Sequence, residues 1–257
     1  MKTLAISSVA FLLSFCPVRA DVFDFLGLRG NKSTNQPASG ATSLNSLSQD
    51  QMIQGLKEAL GQGVQQAVRQ LGQNGGFLTN LSVKIPMPDK LRTVEKTMRK
   101  LKQDSLADEF IATMNHAAEK AVPEAAGVFA EAIKGMSIED AKAILTGPND
   151  AATQYFQKTT RTNLHERFLP IVKSATDKTG VTSTYKKLMD KVEDGKLFGS
   201  LGQKLLGGES MDVDAYVTAK ALDGLFLMVA AEEKRIRETA AARTTDLMQE
   251  VFGAVRR

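Results

Sequence analysis

The side chains best suited to chemistry in this sequence include two histidines, both in segments with helical patterning. His116 and Glu119 are three residues apart, so they share a helix face and could jointly bind a metal ion. A metal site needs further ligands, and no cluster of cysteine or histidine residues supplies them. Neither His116 nor His165 follows a glutamate by three positions, as in di-iron helical bundles. We therefore predict no metal ligand and no cofactor.

Catalytic motifs are the next class of site. The sequence contains no nucleophile elbow, phosphate-binding loop or dinucleotide fingerprint. The glycines of Gly61-Gln62-Gly63 lack the preceding strand that a cofactor loop requires. We therefore predict no catalytic residue, although a serine nucleophile is not excluded by pattern alone.

A group of charged residues lies in and after an apolar segment near the C-terminus. Asp223 falls inside that segment and needs a partner if it is buried. One hypothesis is that these charges meet polar residues from elsewhere and bind a ligand. The alternative is a solvated helix end, in which Glu233 and Arg237 form an ordinary i, i+4 pair. The predicted ligand-binding residues are Asn115, Glu119, Arg161, Asp223, Glu232, Glu233, Arg243 and Asp246.

Helices must position these side chains. Apolar residues recur every three or four positions in about nine segments between residues 47 and 253, one of them around 185–192. The segment 215–231 is apolar on nearly every side and is predicted to be the central core helix. Leu81 to Ile85 alternates like a strand, but Pro86 and Pro88 follow, which favours an extended connector. We predict an all-α fold, a single multi-helix domain of about nine helices with a short tail at 254–257.

Several polar residues are placed to begin these helices. Ser137 and Asp140 have the spacing of a capping box, and Thr244 or Thr245 precedes the last helix. Asn149 or Asp150 is predicted to cap the long helix that follows. Glycines at 55, 61 and 63 within the first helix predict the close approach of another backbone, or alternatively a kink.

The N-terminus predicts export. Lys2 is followed by an apolar run from Leu4 to Phe15 and then by Val18-Arg19-Ala20, the layout of a signal peptide at 1–20 cleaved between Ala20 and Asp21. The run is too short to span a bilayer. Residues 21–46 are mostly polar and are predicted to form a flexible tether. We therefore expect a periplasmic protein without a transmembrane segment.

The cysteine content and the charge balance of the chain argue against disulfide-bonded and nucleic-acid-binding proteins. The single cysteine, Cys16, lies in the predicted signal peptide, so the exported chain has no disulfide; lipidation of Cys16 is the alternative, disfavoured by the bulky Phe15 before it. The chain has 33 basic and 29 acidic residues, without a concentrated basic patch. This balance predicts no binding to nucleic acid.

Five separated runs resemble one bacterial family. They are GLKEAL from Gly55, MNHAAE from Met114, DAATQYF from Asp150, YVTAKALDGLF from Tyr216 and RTTDL from Arg243. They occur in the same order as in the family labelled domain of unknown function 4197, which the chain resembles over roughly residues 47 to 253. The resemblance implies an exported helical domain, mostly in Gram-negative bacteria, and implies no reaction.

Three functions remain open. The first is a non-enzymatic binding or scaffolding protein that presents helical grooves to a partner protein of the cell envelope. The second is a carrier of a lipid or other apolar ligand, for which ten methionines and twelve phenylalanines would suit an adaptable pocket. The third is an enzyme that uses carboxylates and arginine. No feature of the sequence predicts an oligomeric state.

Overall fold

The computed structural model describes residues 47–100, 102, 104–179 and 211–255. These residues form helices and connecting loops and contain no strand, which confirms the all-α class. The predicted count of about nine helices is not confirmed. The predicted signal peptide and tether, and the helix expected around 185–192, lie outside the described residues. The described α-helices are α1 Gln49–Gly72, α2 Arg92–Lys100, α3 Asp104–Ala121, α4 Ala125–Lys134, α5 Ile138–Thr146, α6 Ala151–Thr179, α7 Val213–Glu238 and α8 Asp246–Ala254.

Local capping defines the start of several helices. Ser48 and Gln51 form a capping box at α1, and Ser137 and Asp140 form the predicted one at α5. The Thr245 hydroxyl accepts a hydrogen bond from the Met248 N–H and begins α8, which confirms the predicted cap. These helix starts are encoded within four residues of sequence.

Helix α7 lies at the centre of the bundle and packs chiefly against α6, α1 and α3. Three buried phenylalanines connect α4, α6 and α7. The centre of the Phe129 ring on α4 lies 4.8 Å from that of Phe156 on α6 and 6.0 Å from that of Phe226 on α7, and both pairs pack edge to face. Such pairs add to the free energy gained by burying apolar area. This core sets the positions of α3, α6 and α7, on which most of the predicted site residues lie.

The prediction that α7 is buried on nearly every side is wrong for one strip. Leu227 is 50% exposed, although it falls in the most apolar stretch of the helix. Lys220, Asp223 and Lys234 are exposed as well. Composition alone could not show which face of an apolar helix remains uncovered. This strip becomes part of the site described below.

Helix α8 packs against α1. A Cβ atom at Gly55 would lie 2.7 Å from the Val251 Cγ2 atom and 3.1 Å from the Leu247 carbonyl oxygen. This confirms the predicted close approach at Gly55, where any side chain would push α8 away. None of the described helices combines the length and the apolarity needed to cross a lipid bilayer.

Candidate functional site

The eight residues predicted to bind a ligand have distinct contact partners. Asn115 and Glu119 hydrogen-bond to the chain segment between α1 and α2, whereas Arg161 pairs with Asp223. The others lie on α7 and just after it: Glu232, Glu233, Arg243 and Asp246. That any of them binds a ligand stays a prediction.

The side chain of Asn115 on α3 hydrogen-bonds to the backbone of the connector between α1 and α2. This side chain is fully buried. The Ile85 N–H donates to Asn115 Oδ1 at 2.8 Å, and Asn115 Nδ2 donates to the carbonyl oxygens of Ile85 at 2.8 Å and Ile111 at 2.7 Å. One amide therefore satisfies both backbone groups of Ile85, which would otherwise be buried without partners.

Glu119 holds the same segment nearer its start. Its Oε1 atom accepts hydrogen bonds from the N–H groups of Phe77 at 3.0 Å and Leu78 at 3.2 Å. Its Oε2 atom lies 2.8 Å from His116 Nδ1. Because both carboxylate oxygens are occupied, Glu119 acts as a structural support here. We call the segment 73–88 the Leu81 loop.

Helix α7 supports the loop from its other side. A Cβ atom at Gly224 would lie 2.8 Å from the Phe77 ring and 3.2 Å from the Val83 Cβ, so the loop packs directly on the helix backbone. The Tyr216 hydroxyl donates to the Pro86 carbonyl at 3.2 Å. Burial, with the Asp89 carboxylate as a smaller cause, raises the pKa of Tyr216 above 10.0, so the hydroxyl keeps its proton near neutral pH.

The side chains of the Leu81 loop divide into an inner and an outer set. Val83, Ile85 and Met87 are buried and alternate with exposed residues, yet the segment forms no strand, as the two prolines predict. Leu81 has the same phase in the sequence and is 88% exposed, because the chain turns at 77–83. An apolar side chain is thus held outward on a firmly anchored backbone.

Beside the loop lies a surface groove of about 400 Å³. Its apolar part is the exposed strip of α7. We call it the apolar groove; it is lined by Ser82 of the loop, by Leu227, Met228, Ala230, Ala231 and Lys234 of α7, and by Asn149 and Asp150 before α6. Asn80 Nδ2 lies 3.9 Å from Met228 Sδ and links loop to groove. Leu81, Leu227 and Ile138 are the exposed large apolar residues of the described chain. Leu227 lines the groove, and Leu81 precedes Ser82, which also lines it.

Glu233 of α7 binds the N-terminus of α6. Its two carboxylate oxygens accept from the N–H groups of Ala152 and Thr153, each at 2.9 Å, and Oε2 also accepts from the Thr153 hydroxyl at 2.9 Å. Arg237 Nη2 lies 2.9 Å from Glu233 Oε1 and donates to the Ile144 carbonyl at 2.7 Å. Glu233 therefore caps α6 where Asn149 or Asp150 was predicted to do so.

The remaining charges near the end of α7 have their own partners. Arg243 is buried and donates to the carbonyl oxygens of Ile236 at 2.9 Å and Arg237 at 2.8 Å, which caps the C-terminus of α7. Glu232 is buried, and its Oε2 atom pairs with Arg235 at 2.6 Å. Asp246 is exposed in the first turn of α8. Arg243 thus caps the end of α7, and Asp246 is the first residue of α8.

Arg161 and Asp223 form an ion pair at the surface. Their side chains are 47% and 52% exposed, and Arg161 Nη2 lies 2.8 Å from Asp223 Oδ1. The Arg161 guanidinium also lies 5.8 Å from the centre of the Phe226 ring. Asp223 is exposed, so its carboxylate does not need this partner as a buried one would. An exposed pair of this kind contributes about 0–1 kcal/mol.

A cavity within the described core is too small for a lipid. It has a volume of about 20 Å³ and is lined mainly by α1, α6 and α7, with Phe156 and Phe252 among its walls. That is room for about one water molecule, whereas ligand pockets measure about 300–1,000 Å³. Among the described residues, no three His, Cys, Asp or Glu side chains are placed to hold a metal ion.

Leu81 and Leu227 were missed as candidate functional residues. The alternation of Leu81 to Ile85 suggests that Leu81 faces the core, and the composition of α7 suggests the same for Leu227. A signal was present in α7, since Asp223, Leu227 and Lys234 are four and seven residues apart and so share a helix face with two charges.

The comparisons with known proteins agree with the resemblance seen in the sequence. A family model described as a protein of unknown function, DUF4197, matches residues 46–253. No curated protein and no solved structure matches the chain.

Proposed function

Since the chain belongs to the DUF4197 family, whose description assigns no activity, we propose from its own geometry that it is an exported, non-enzymatic binding protein of the cell envelope. Its working surface is the apolar groove together with Leu81, and its partner is a protein that inserts an amphipathic helix. The observation that carries this proposal is the outward placement of Leu81, 88% exposed, on a loop held by buried polar side chains.

Buried side chains of α3 hold the Leu81 loop on both sides of Leu81. Asn115 and Glu119 make four hydrogen bonds to backbone groups of the loop. Burying such polar groups is favourable only when every bond is made. A loop held in this way loses less backbone entropy when a partner binds, so affinity is gained through preorganisation.

The groove favours an amphipathic helix as its occupant. Its floor is apolar and open, and charges of both signs, Asp150 and Lys234, lie along its lining. An amphipathic helix places apolar side chains at i, i+3 and i+4 into such a groove, while its polar face remains in water. The two rim charges would orient that helix by pairing with residues of opposite sign.

The other two functions have less support. A lipid carrier needs an interior cavity, and the core cavity between α1, α6 and α7 has room for about one water molecule. An enzyme that uses carboxylates needs them available to a substrate, but Glu119 and Glu233 are occupied by backbone N–H groups and by His116 or Arg237. Glu232 pairs with Arg235 through one oxygen only, so it is the carboxylate on which this alternative would have to depend.

Photo-crosslinking in cells tests the proposal. A photoreactive amino acid is placed at Leu81, at Leu227 or, as a control, at Ile138, which is also exposed (42%) but belongs to α5 and not to the groove. We expect a discrete protein adduct from the first two positions and none from Ile138, with the crosslinked peptide mapping to an amphipathic helix of the partner.

Matched variants separate docking from folding. Leu227→Asp should abolish the adduct formed from position 81 and leave the urea unfolding midpoint close to that of the parent, since Leu227 is half-exposed. Ile138→Asp should change neither. Equal adducts from all three positions would overturn the proposal, as would adducts with phospholipid or within the chain itself.

A further inference from the structure

A second groove, on the far end of α7 from the Leu81 loop, has a different chemistry. It lies between α1, the C-terminal end of α7 and the chain at 241–244, and has a volume of about 650 Å³. We call it the glutamine groove; it is lined by Gln62, Gln65, Gln66, Arg69, Gln70, Glu232, Arg235, Ala241, Ala242 and Thr244. We infer that it binds a short, uncharged oligosaccharide through hydrogen bonds to the sugar hydroxyls.

The wall formed by α1 supplies paired donors and acceptors. Gln62, Gln65, Gln66 and Gln70 lie within a window of nine residues, at helical spacings that bring them to one face of α1. Each glutamine amide carries two N–H donors and one carbonyl acceptor. A hydroxyl group is both a donor and an acceptor, so a row of amides matches a row of hydroxyls.

The floor of the groove holds an adjacent acceptor and donor. The Glu232 side chain is only 7% exposed, and both Arg235 contacts are made to its Oε2 atom, at 2.6 and 2.8 Å. Its Oε1 atom has no hydrogen-bond partner among the described residues, and it is not enclosed in the protein. Oε1 is therefore an acceptor open to the groove, next to the partly exposed guanidinium of Arg235. Neighbouring hydroxyls on a sugar ring can bond to both.

One end of the groove is preorganised. Gln62 Nε2 donates to the Ala242 carbonyl at 2.9 Å, and the Thr244 hydroxyl donates to Gln62 Oε1 at 2.6 Å. Arg69 Nη2 donates to Gln66 Oε1 at 2.7 Å, which directs the Gln66 amide nitrogen toward other partners. Because these side chains already have defined positions, less entropy is lost when a ligand binds.

The same residues disfavour other ligands. A phosphorylated or strongly anionic ligand would meet the Glu232 carboxylate, whose charge offsets that of Arg235, so that Arg69 supplies the remaining positive charge of the lining. A peptide needs apolar pockets for its side chains, and the apolar lining here is limited to Ala241 and Ala242. No aromatic residue lines the groove to stack on a sugar face, so we expect binding in the millimolar range.

Titration by amide NMR of the purified chain tests this inference. The probes are chitotetraose and maltotetraose, with tetra-alanine as the peptide comparison. We expect at least one saccharide at millimolar concentration to shift the amide signals of 62–70 and 241–244, and tetra-alanine to leave them unchanged. Glu232→Gln should weaken binding about tenfold, since it removes a charged hydrogen-bond acceptor.

Two further variants keep the inference testable if Glu232→Gln does not fold. Gln65→Ala and Gln70→Ala change partly buried side chains of the wall and should each weaken binding about threefold, the size of a neutral hydrogen bond. Gln157→Ala, an exposed glutamine of α6 outside the groove, is the matched control and should bind as the parent does. No shift with either saccharide, stronger shifts with tetra-alanine, or unaltered binding by both wall variants would overturn the inference.

Discussion

At the scale of single residues, the buried charges of this chain serve its own backbone. Glu233 and Arg237 are spaced as an ordinary surface pair, for which a few tenths of a kcal/mol is expected. In the structure their side chains are only 6% and 8% exposed, and Glu233 also accepts the N–H groups of Ala152 and Thr153. The negative charge at the N-terminus of α6 is favourable for the helix dipole as well.

Replacing Glu233 should therefore be strongly destabilising. Glu233→Ala leaves two helix N–H groups without their acceptor and Arg237 as a buried charge without its partner. We expect the free energy of unfolding to fall by about 3–5 kcal/mol, measured by urea denaturation. Glu250→Ala, at an exposed position of α8, should change it by no more than about 0.5 kcal/mol. A loss below about 1 kcal/mol for Glu233→Ala would contradict the capping role.

At the scale of elements, the Leu81 loop depends on two helices. Helix α3 supplies the side chains that bond to its backbone, and α7 supplies a glycine surface on which Phe77 and Val83 rest. The loop has no ladder of backbone hydrogen bonds to a neighbouring strand, so side-chain amide and carboxylate groups replace that ladder. A change in either helix should therefore be transmitted to Leu81.

Two glycine-to-alanine substitutions should act in opposite directions. Gly224→Ala places a methyl group 2.8 Å from the Phe77 ring, so the loop must shift, and we expect a loss of about 1–3 kcal/mol in the free energy of unfolding. Gly127→Ala lies in α4 with nothing within 4 Å of the new Cβ, and should raise that free energy by about 0.5–1 kcal/mol.

Hydrogen exchange of backbone amides shows which part of the chain is disturbed by Gly224→Ala. The amides of Phe77 and Leu78, which donate to Glu119, should exchange faster in Gly224→Ala and at the parent rate in Gly127→Ala. Faster exchange spread evenly over all helices, without a local effect at the loop, would argue against direct packing of the loop on α7.

At the scale of the whole molecule, one apolar core joins the described helices, and two surface grooves of different character flank α7. The single cysteine, Cys16, lies outside the described residues, so the described domain depends for its stability on the core and on buried polar contacts.

Processing of the N-terminus tests the predicted export. When the full chain is expressed in a Gram-negative host, we expect it in the periplasmic fraction with an intact mass that begins at Asp21. Ala20→Arg should block cleavage, because signal peptidase requires a small residue there, whereas Ser39→Arg, beyond the site, should be processed normally. A cytoplasmic protein that retains Met1, or a lipid adduct on Cys16, would refute the predicted cleavage.

Much of the fold could be predicted from short-range patterns. The apolar spacing of three and four residues marks the helices, and the Ser137–Asp140 box and the Thr245 cap act within a single turn. The two prolines after Ile85 exclude a strand at that place. Each of these features depends on residues that are close in sequence, so the sequence by itself determined them.

The partners of the polar residues could not be predicted in the same way. Glu119 accepts a hydrogen bond from a backbone N–H about forty residues away, and Glu233 accepts one from about eighty residues away. Every residue except proline has such an N–H group, so no residue type in the sequence identifies these partners. Leu227 is apolar like its buried neighbours, and only the packing of α7 against α1, α3 and α6 leaves it outward. The sequence thus determined the helices and the family, whereas the tertiary structure decided which charges support the fold and which apolar side chains remain exposed, because burial depends on neighbours that are distant in the chain.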